Sequence, residues 1–219
     1  MIETFAGQVP TELLLRSGRV FYSGRLAFSA PTSLYVLGLN PGGDPSSHDS
    51  DNIADHTPAV LGSYPNDWSA YRDESWEGKA PGSYGMAPRV LHLFTELGLN
   101  PGQVPCSNLI FARSRREGDI AHEMKLLADQ CWPFHALVIE LLRPKTILCF
   151  GKTAGNYVRS KVGADKLHSE FIETNNRRWR SQVFISGTGM KVVVATHPSI
   201  ADWIAPNTDP TQLIRDILS

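Results

Sequence analysis

Four short apolar runs constrain the fold of this chain most strongly, because none of them alternates between apolar and polar residues. They cover residues 34–38, 104–111, 146–150 and 192–196, and each is bounded by Gly, Pro or polar residues. Runs of this kind are typical of strands buried on both faces of a sheet. Apolar spacing between and after them predicts helices over residues 86–97, 120–142, 153–161 and 211–218. This pattern predicts an α/β fold with three layers, α/β/α, around a short, mainly parallel central sheet.

A single domain over residues 1–219 is the working interpretation, since no repeat or linker divides the sequence. With 42% hydrophobic residues and a net charge of −1, the chain is neither disordered nor basic enough to imply a polyanion partner. No apolar stretch approaches the roughly 20 residues of a membrane-spanning helix, and the N-terminus lacks a secretory pattern. We therefore expect a soluble, cytoplasmic monomer without a membrane partner. The three cysteines, Cys106, Cys131 and Cys149, are expected to be buried and unpaired.

Polar residues follow each predicted parallel strand, where ligands gather in sheets of this kind. The first strand leads into Gly38-Leu39-Asn40-Pro41-Gly42-Gly43, and the second run contains Asn108. The third leads into Gly151-Lys152-Thr153 and the fourth into His197-Pro198-Ser199. Because carboxyl ends of parallel strands share one edge of a sheet, these groups should converge there.

Taken one at a time, these loops leave several interpretations open. The glycine loop after the first strand matches neither nucleotide-binding spacing, and Asn, Pro and Gly also suit a simple turn. His197 is either a structural histidine or a catalytic one, and Ser199 beside it raises a nucleophilic hydrolase as an alternative. That alternative has neither a G-x-S-x-G elbow nor an evident orienting carboxylate.

A group of ligand-type residues lies in the stretch between the first two runs. It consists of His48, Asp49, Asp51, Asp55 and His56. Their spacing follows neither the zinc nor the calcium pattern, so we expect a solvated polar loop and no metal.

Taken together and in order, the motifs resemble those of the uracil-DNA glycosylase superfamily over nearly all of residues 33–219. The matching segments are Gly38-Leu39-Asn40-Pro41-Gly42, Ser107-Asn108-Leu109, the run from Ile147 to Ala154, and Ala195-Thr196-His197-Pro198-Ser199. The G-x-N-P-G form of the first motif is similar to the mismatch-specific and single-strand-selective branches. The chain differs from the superfamily in an insertion over 44–81, in Ile200-Ala201-Asp202 after the histidine motif, and from other branches in lacking four iron–sulfur cysteines.

The resemblance implies a role for each motif. The first motif would hold the catalytic water, with Asn40 positioning it and Gly38, Leu39, Pro41 and Gly42 forming the substrate loop. Asn108 would read the edge of the pyrimidine. His197, with Ser199 beside it, would stabilise the departing base. The implied partner is DNA containing uracil or another deaminated base, and no metal or cofactor is implied.

The remaining candidates would contact the extruded base and the DNA around it. Tyr84 precedes a helix at about the place of the family's stacking aromatic residue, and Trp76 is an alternative. Ile200 or Trp203 could wedge into the base stack. Candidate phosphate contacts are Arg113, Lys152, Arg115, Arg116 and the run Arg177-Arg178-Trp179-Arg180. A protein of this type that binds nucleic acid or nucleotide without cleaving it is the alternative to a monofunctional glycosylase.

Overall fold

The computed structural model describes residues 1–48 and 51–218. In these residues a six-stranded sheet comprises β1 (Leu34–Gly38), β2 (Cys106–Asn108), β3 (Thr146–Phe150), β4 (Lys166–Ile172), β5 (Arg180–Ile185) and β6 (Lys191–Ala195). Its order is β2-β1-β3-β6-β5-β4. The first four strands of that order pair in parallel, whereas β5 and β4 are antiparallel. The predicted α/β class and mainly parallel sheet are confirmed.

Helices connect or flank the strands in the described residues. They are α1 (Ile2–Ala6), α2 (Ile53–Gly62), α3 (Ala70–Asp73), α4 (Ala87–Glu96), α5 (Met124–Leu142), α6 (Lys152–Val162) and α7 (Thr211–Leu218). Short 3₁₀ turns cover Thr11–Leu13, Pro45–His48, Pro101–Gln103 and Glu117–Ile120. The four predicted helices correspond to α4–α7, and the arrangement is consistent with three α/β/α layers. None of the helices in the described ranges combines the length and apolarity needed to cross a membrane.

Several predicted boundaries were wrong, those of α4 and α6 by one residue at each end. The second run, predicted as a strand over 104–111, forms a ladder only over Cys106–Asn108, although Leu109 and Ile110 still donate to the carbonyls of Gly38 and Leu39. The fourth strand is shifted by one residue, and α5 begins at Met124 because the preceding turn is 3₁₀. The sequence analysis also missed β4 and β5. Both strands mix polar and apolar residues, so neither has an uninterrupted apolar run. They lie together at one side of the sheet, where β4 is the edge strand.

The register of the parallel strands brings their carboxyl ends level. Gly38 pairs with Asn108, and Phe150 pairs with Ala195. Cys149 pairs with Leu37, so Phe150 lies level with Gly38 across β1 and β3. Asn40 and His197 therefore each lie two residues beyond this row of paired residues. Asn40 follows β1 and His197 follows β6, the two strands that flank β3.

The chain before β1 runs along the free edge of β2. Isolated antiparallel bridges join Gly18 to Ala112 and Phe21 to Ser107, and further bridges join Ser17 and Ser23 to the insertion at Asn52 and Ser69. In the core, the ring of Phe21 packs edge-on against Phe28 and Phe134, at centroid distances of 5.2 and 5.5 Å. The N-terminal segment and the insertion therefore form one continuous addition beside the parallel strands. All three cysteines are free and buried, as predicted.

Candidate active site

A cleft of about 950 Å³ lies at the carboxyl ends of the parallel strands. The predicted site residues that line it are Gly38, Leu39, Asn40, Gly42, Tyr84, Asn108, Lys152, His197, Ser199 and Ile200, with the further candidates Trp76, Arg115, Arg116, Trp179 and Arg180. The candidates Pro41, Arg113, Arg177, Arg178 and Trp203 are not among its lining residues. The volume lies near the upper end of the range for small-molecule sites, so a whole nucleotide would fit.

Neighbouring residues in the chain decide which ring nitrogen of His197 accepts a hydrogen bond and which donates one. Its Nδ1 accepts the backbone N–H of Ser199 at 3.1 Å, and the Ser199 hydroxyl lies 2.8 Å from the same atom. An N–H can bond only to an unprotonated ring nitrogen, so the neutral ring carries its proton on Nε2. Burial lowers the pKa of His197 below its ordinary value of 6.5, which favours this neutral form. His197 is therefore a neutral Nε2–H donor in the wall of the cleft.

Two glycines at the strand ends leave room for the side chains of Asn108 and His197. A Cβ on Gly38 would lie 2.1 Å from Oδ1 of Asn108, so a side chain there would displace the asparagine. Gly151, between β3 and α6, has a φ of +91°, a conformation that strains residues with a side chain. Gly42 differs from both, because a Cβ there would meet nothing within 4 Å.

Asn40 is held through its amide nitrogen. Nδ2 donates to the carbonyl of Pro41 at 2.9 Å, to Oγ of Ser114 at 2.8 Å and, more weakly, to the carbonyl of Ala112 at 3.4 Å. With Nδ2 committed to the protein, Oδ1 is the atom left to accept a hydrogen bond in the cleft. The role of Pro41 is thus to supply a carbonyl behind the cleft rather than to line it.

Asn108 presents a buried amide donor. The residue is 5% exposed at the end of β2, and its Nδ2 makes no hydrogen bond of 3.5 Å or less in the described part of the protein, although the Asn108 side chain does interact with the buried hydroxyl of Tyr22. Leaving a buried donor unsatisfied costs about 1–3 kcal/mol. Because Nδ2 is itself buried, an acceptor bound in the cleft would reach it only after the side chain turns.

Aromatic side chains form one wall of the cleft. Tyr84 is 45% exposed and lines it, as does the alternative candidate Trp76. Sequence reasoning missed Tyr22 and Tyr71, two buried tyrosines whose rings lie 5.8 Å apart and also line the cleft. They belong to the N-terminal segment and to the insertion, and neither lies in a recognisable motif. Only the packing of those two segments against β2 brings them to the site.

Arg113 is not a phosphate contact, which corrects the prediction. Its side chain has no exposed surface, and its guanidinium donates to the carbonyl of Gly42, to Oγ of Ser17 at 3.1 Å and to the carboxylate of Asp51. Asp51 also accepts from Arg19 at 2.8 Å, and Arg19 in turn pairs with Glu74 at 2.5 Å. We call Arg19, Asp51, Glu74 and Arg113 the arginine network. It joins the Asn40 loop to the N-terminal segment and the insertion.

The expectation of a solvated loop over residues 48–56 was also wrong at two positions. Asp51 belongs to the arginine network, and His56 is buried between Tyr64 and Trp68. Burial lowers the pKa of His56 to about 3. Asp49 lies outside the described residues. Across residues 1–48 and 51–218, the structure contains no group of three or more His, Cys, Asp or Glu side chains arranged to hold a metal ion.

The rim of the cleft combines cations with exposed apolar side chains. Lys152 is the exposed first residue of α6, and Ile200 is 57% exposed. Trp203 is fully buried, with its ring 5.4 Å from that of Phe150, so it supports the core and is not a wedge. Arg115 and Arg116 also line the rim, and Arg115 pairs with Asp44.

Comparison with known proteins assigns no family to this arrangement. No protein-family model matches the chain, and no curated protein matches it. What the cleft can do chemically follows from its polarity: a neutral N–H donor on His197, an amide oxygen on Asn40 and an unsatisfied amide donor on Asn108. Such a site can bind a flat ring with carbonyl groups and hold a water molecule beside it.

Proposed function

We propose that this protein is a monofunctional DNA glycosylase, related to the uracil-DNA glycosylase superfamily and sharing its three-layer fold. It would hydrolyse the N-glycosidic bond of uracil or a related deaminated base in DNA. The observation that carries the proposal is the fixed polarity of His197, whose neutral ring offers an Nε2–H donor at the edge where Asn40 and Asn108 also lie.

His197 would lower the barrier by stabilising the departing base. Breaking the bond leaves positive charge on the sugar and negative charge on the base, so a donor to the base carbonyl gains strength as the reaction proceeds. The lowered pKa of His197 supports a ring that is neutral before the reaction, with its proton on Nε2. One preorganised donor of this kind contributes about 3 kcal/mol to the transition state.

Asn40 would hold the attacking water. An amide cannot deprotonate water, but Oδ1 of Asn40, which accepts no hydrogen bond within the described residues, can accept one from water and aim the water oxygen at the sugar carbon. The three contacts of Nδ2 support this role, since they prevent the amide from turning. The developing sugar cation supplies the electrophile, so a strong base is not essential, although turnover should be slower than with a carboxylate.

Asn108 would read the base. Its unsatisfied Nδ2 supports recognition of a carbonyl oxygen, as in uracil, while Oδ1 can accept from an adjacent ring N–H. Cytosine presents an amino donor where uracil presents that carbonyl, so it would leave Nδ2 unsatisfied. Since the edge of a stacked base is out of reach of such a cleft, the nucleotide would have to leave the stack.

The hydrolase alternative has less support. The Ser199 hydroxyl does lie 2.8 Å from His197, but on the nitrogen that also accepts the backbone N–H of the same serine. This is a local turn that orients the ring. Within the described residues, moreover, His197 Nε2 makes no hydrogen bond to a carboxylate that would complete a triad.

The decisive experiment measures base release from defined oligonucleotides. Purified protein is incubated, with and without a metal chelator, with labelled single strands and duplexes containing uracil, hypoxanthine, xanthine or thymine mispaired with guanine. Abasic sites are then cleaved by alkali. We expect release of uracil that resists the chelator and gives strand breaks only after alkali, since Lys152, the one lysine in the matched motifs, is assigned to a phosphate contact and not to attack on the sugar.

The His197→Ala variant, purified in parallel, serves as the control for a contaminating glycosylase. Binding of uracil-containing DNA without base release from any substrate would favour the non-catalytic alternative. Strand cleavage without alkali, or activity equal in the His197→Ala variant, would overturn the mechanism.

A further inference from the structure

The turn between β4 and β5 carries an exposed tryptophan to the rim of the cleft. Trp179 is 37% exposed and is one of the lining residues of the cleft. One side of its indole is covered by the guanidinium of Arg177, whose carbon lies 4.1 Å from the ring centroid. Unlike the buried Trp203, this side chain is not used to build the core.

Arg177 anchors this tryptophan to two other parts of the protein. Its Nη1 donates to the carbonyl of Ile200 at 2.8 Å, in the loop that follows His197. Its Nη2 pairs at 3.2 Å with Glu173, which is completely buried. A side chain held in this way loses little conformational entropy when a ligand stacks on it, so Trp179 is preorganised for binding.

Two exposed cations accompany the indole, although only one of them lines the cleft. Arg178 precedes it in the turn, and Lys152 lines the same cleft; both are exposed, and neither side chain has an ion-pair partner within the described residues. An aromatic face beside unpaired cations is the arrangement by which proteins bind single-stranded nucleic acid, with the ring stacking on a base and the cations meeting phosphates.

We propose that Trp179 is a stacking platform for the unpaired base next to the extruded nucleotide, with Arg178 and Lys152 meeting the flanking phosphates. The identity of the extruded nucleotide rests on the proposed function, whereas the platform requires only single-stranded DNA. In a duplex the neighbouring base is paired and remains stacked on the base beyond it, so the platform has to compete with the duplex. The protein should therefore prefer single-stranded DNA.

The test measures affinity for undamaged DNA, so that catalysis plays no part. The full-length protein is titrated into a fluorescein-labelled oligothymidylate, and into the same strand annealed to its complement, with anisotropy as the readout. We expect tighter binding to the single strand, and weakening of that binding by about 10-fold or more in Trp179→Ala, the usual loss of one stacked base. Trp179→Phe keeps an aromatic face and should retain most of the affinity.

Ile204→Ala is the matched control, since Ile204 is 51% exposed in the loop after His197 but is not among the residues that line the cleft. It should bind like the unaltered protein. Equal weakening in Trp179→Ala and Trp179→Phe would overturn stacking, and unchanged binding in Trp179→Ala would overturn the platform while leaving base release intact. Binding that depends on Trp179 in a protein that releases no base would overturn the proposed function and leave the platform standing.

Discussion

His197 and Asn40 occupy equivalent positions, each two residues beyond the last residue of a parallel strand. The residues that orient them, however, lie at very different separations along the sequence. The His197 ring is oriented by Ser199, its neighbour but one in the chain. Asn40 depends on Ser114, which is 74 residues away, and on a loop whose Gly42 carbonyl is bound by the buried Arg113. One half of the site is therefore oriented locally, and the other half is assembled by the fold.

This difference shows where the N-terminal segment and the insertion matter. Neither contributes to the local turn at His197. Both supply charges to the arginine network, with Arg19 from the segment and Asp51 and Glu74 from the insertion. The network should therefore be needed on the Asn40 side only, and perturbing each side separately tests this asymmetry.

The largest effect is expected from Asp51→Ala. The substitution leaves the buried guanidinium of Arg113 without its carboxylate, so the free energy of unfolding should fall by about 3 kcal/mol or more. Urea denaturation measures it. The control is Asp129→Ala, since Asp129 also pairs with two cations but at the surface, and its removal should matter much less. Equal losses in the two variants would mean that the network does not support the Asn40 side.

His197→Ala and Asn40→Ala should each slow single-turnover release of uracil by about 100-fold or more, with little change in DNA affinity. Each removes a group that acts in the transition state, so equal losses would show that both halves act in the reaction despite their different support. His168→Ala, at an exposed histidine of β4, is the control and should react normally. If neither of the first two variants were impaired, the active site would lie elsewhere.

Asn108→Asp tests the base-reading group on β2, next to the Asn40 half of the site. A carboxylate in place of the unsatisfied amide would repel a uracil carbonyl, and release of uracil should fall by about 10-fold or more. Asn156→Asp, on the exposed surface of α6 outside the cleft, should leave the rate unchanged. Uracil release that survives Asn108→Asp but not His197→Ala would make Asn108 a purely structural residue.

The pH profile sharpens the comparison on the His197 side. Since burial lowers the pKa of His197 below 6.5, the ring should stay neutral at and above that pH. Protonation of Nδ1 would break its bond to the backbone N–H of Ser199, so the rate should be flat from pH 8 to 6.5 and fall by about 10-fold per unit below the folded-state pKa.

Stability should follow the same sign as the pH profile. The unfolded chain binds protons at His197, His56 and His135 more readily than the folded chain does, so the free energy of unfolding should decrease as the pH falls below 6.5. His56 and His135, whose pKa values burial lowers to about 3 and about 4, add to this trend. Measuring rate and urea midpoint on the same samples separates loss of the donor from unfolding, and a rate that rises on acidification would contradict the neutral donor.

The smallest effect is expected from Ser199→Ala. The backbone N–H of residue 199 still bonds to Nδ1, and only the hydroxyl contact is lost, so base release should slow by about 2- to 10-fold. Loss of that donor also destabilises the neutral ring, which should raise the pKa of His197 and move the acid limb to higher pH. Complete inactivation of a folded Ser199→Ala protein would instead revive the nucleophilic hydrolase.

Sequence reasoning was most successful where the relevant contacts are short in range. Uninterrupted apolar runs identified the four parallel strands, and helical spacing identified α4 to α7, with α7 correct at both ends. It was least successful with β4 and β5, where polar residues interrupt the pattern, and with the two added segments, whose helices α1 to α3 are short or lie outside any motif.

The sequence by itself determined the order of the strands along the chain and the polar loop that follows each of them, because apolar periodicity and turn residues act over a few positions. Only the tertiary structure decided that Arg113 is buried against Asp51, that Tyr22 and Tyr71 face the cleft, and that Trp203 is core while Trp179 is exposed. An arginine or a tryptophan is the same residue in either setting. Its burial depends on which distant segment packs against it, and the neighbouring residues in the chain do not determine that.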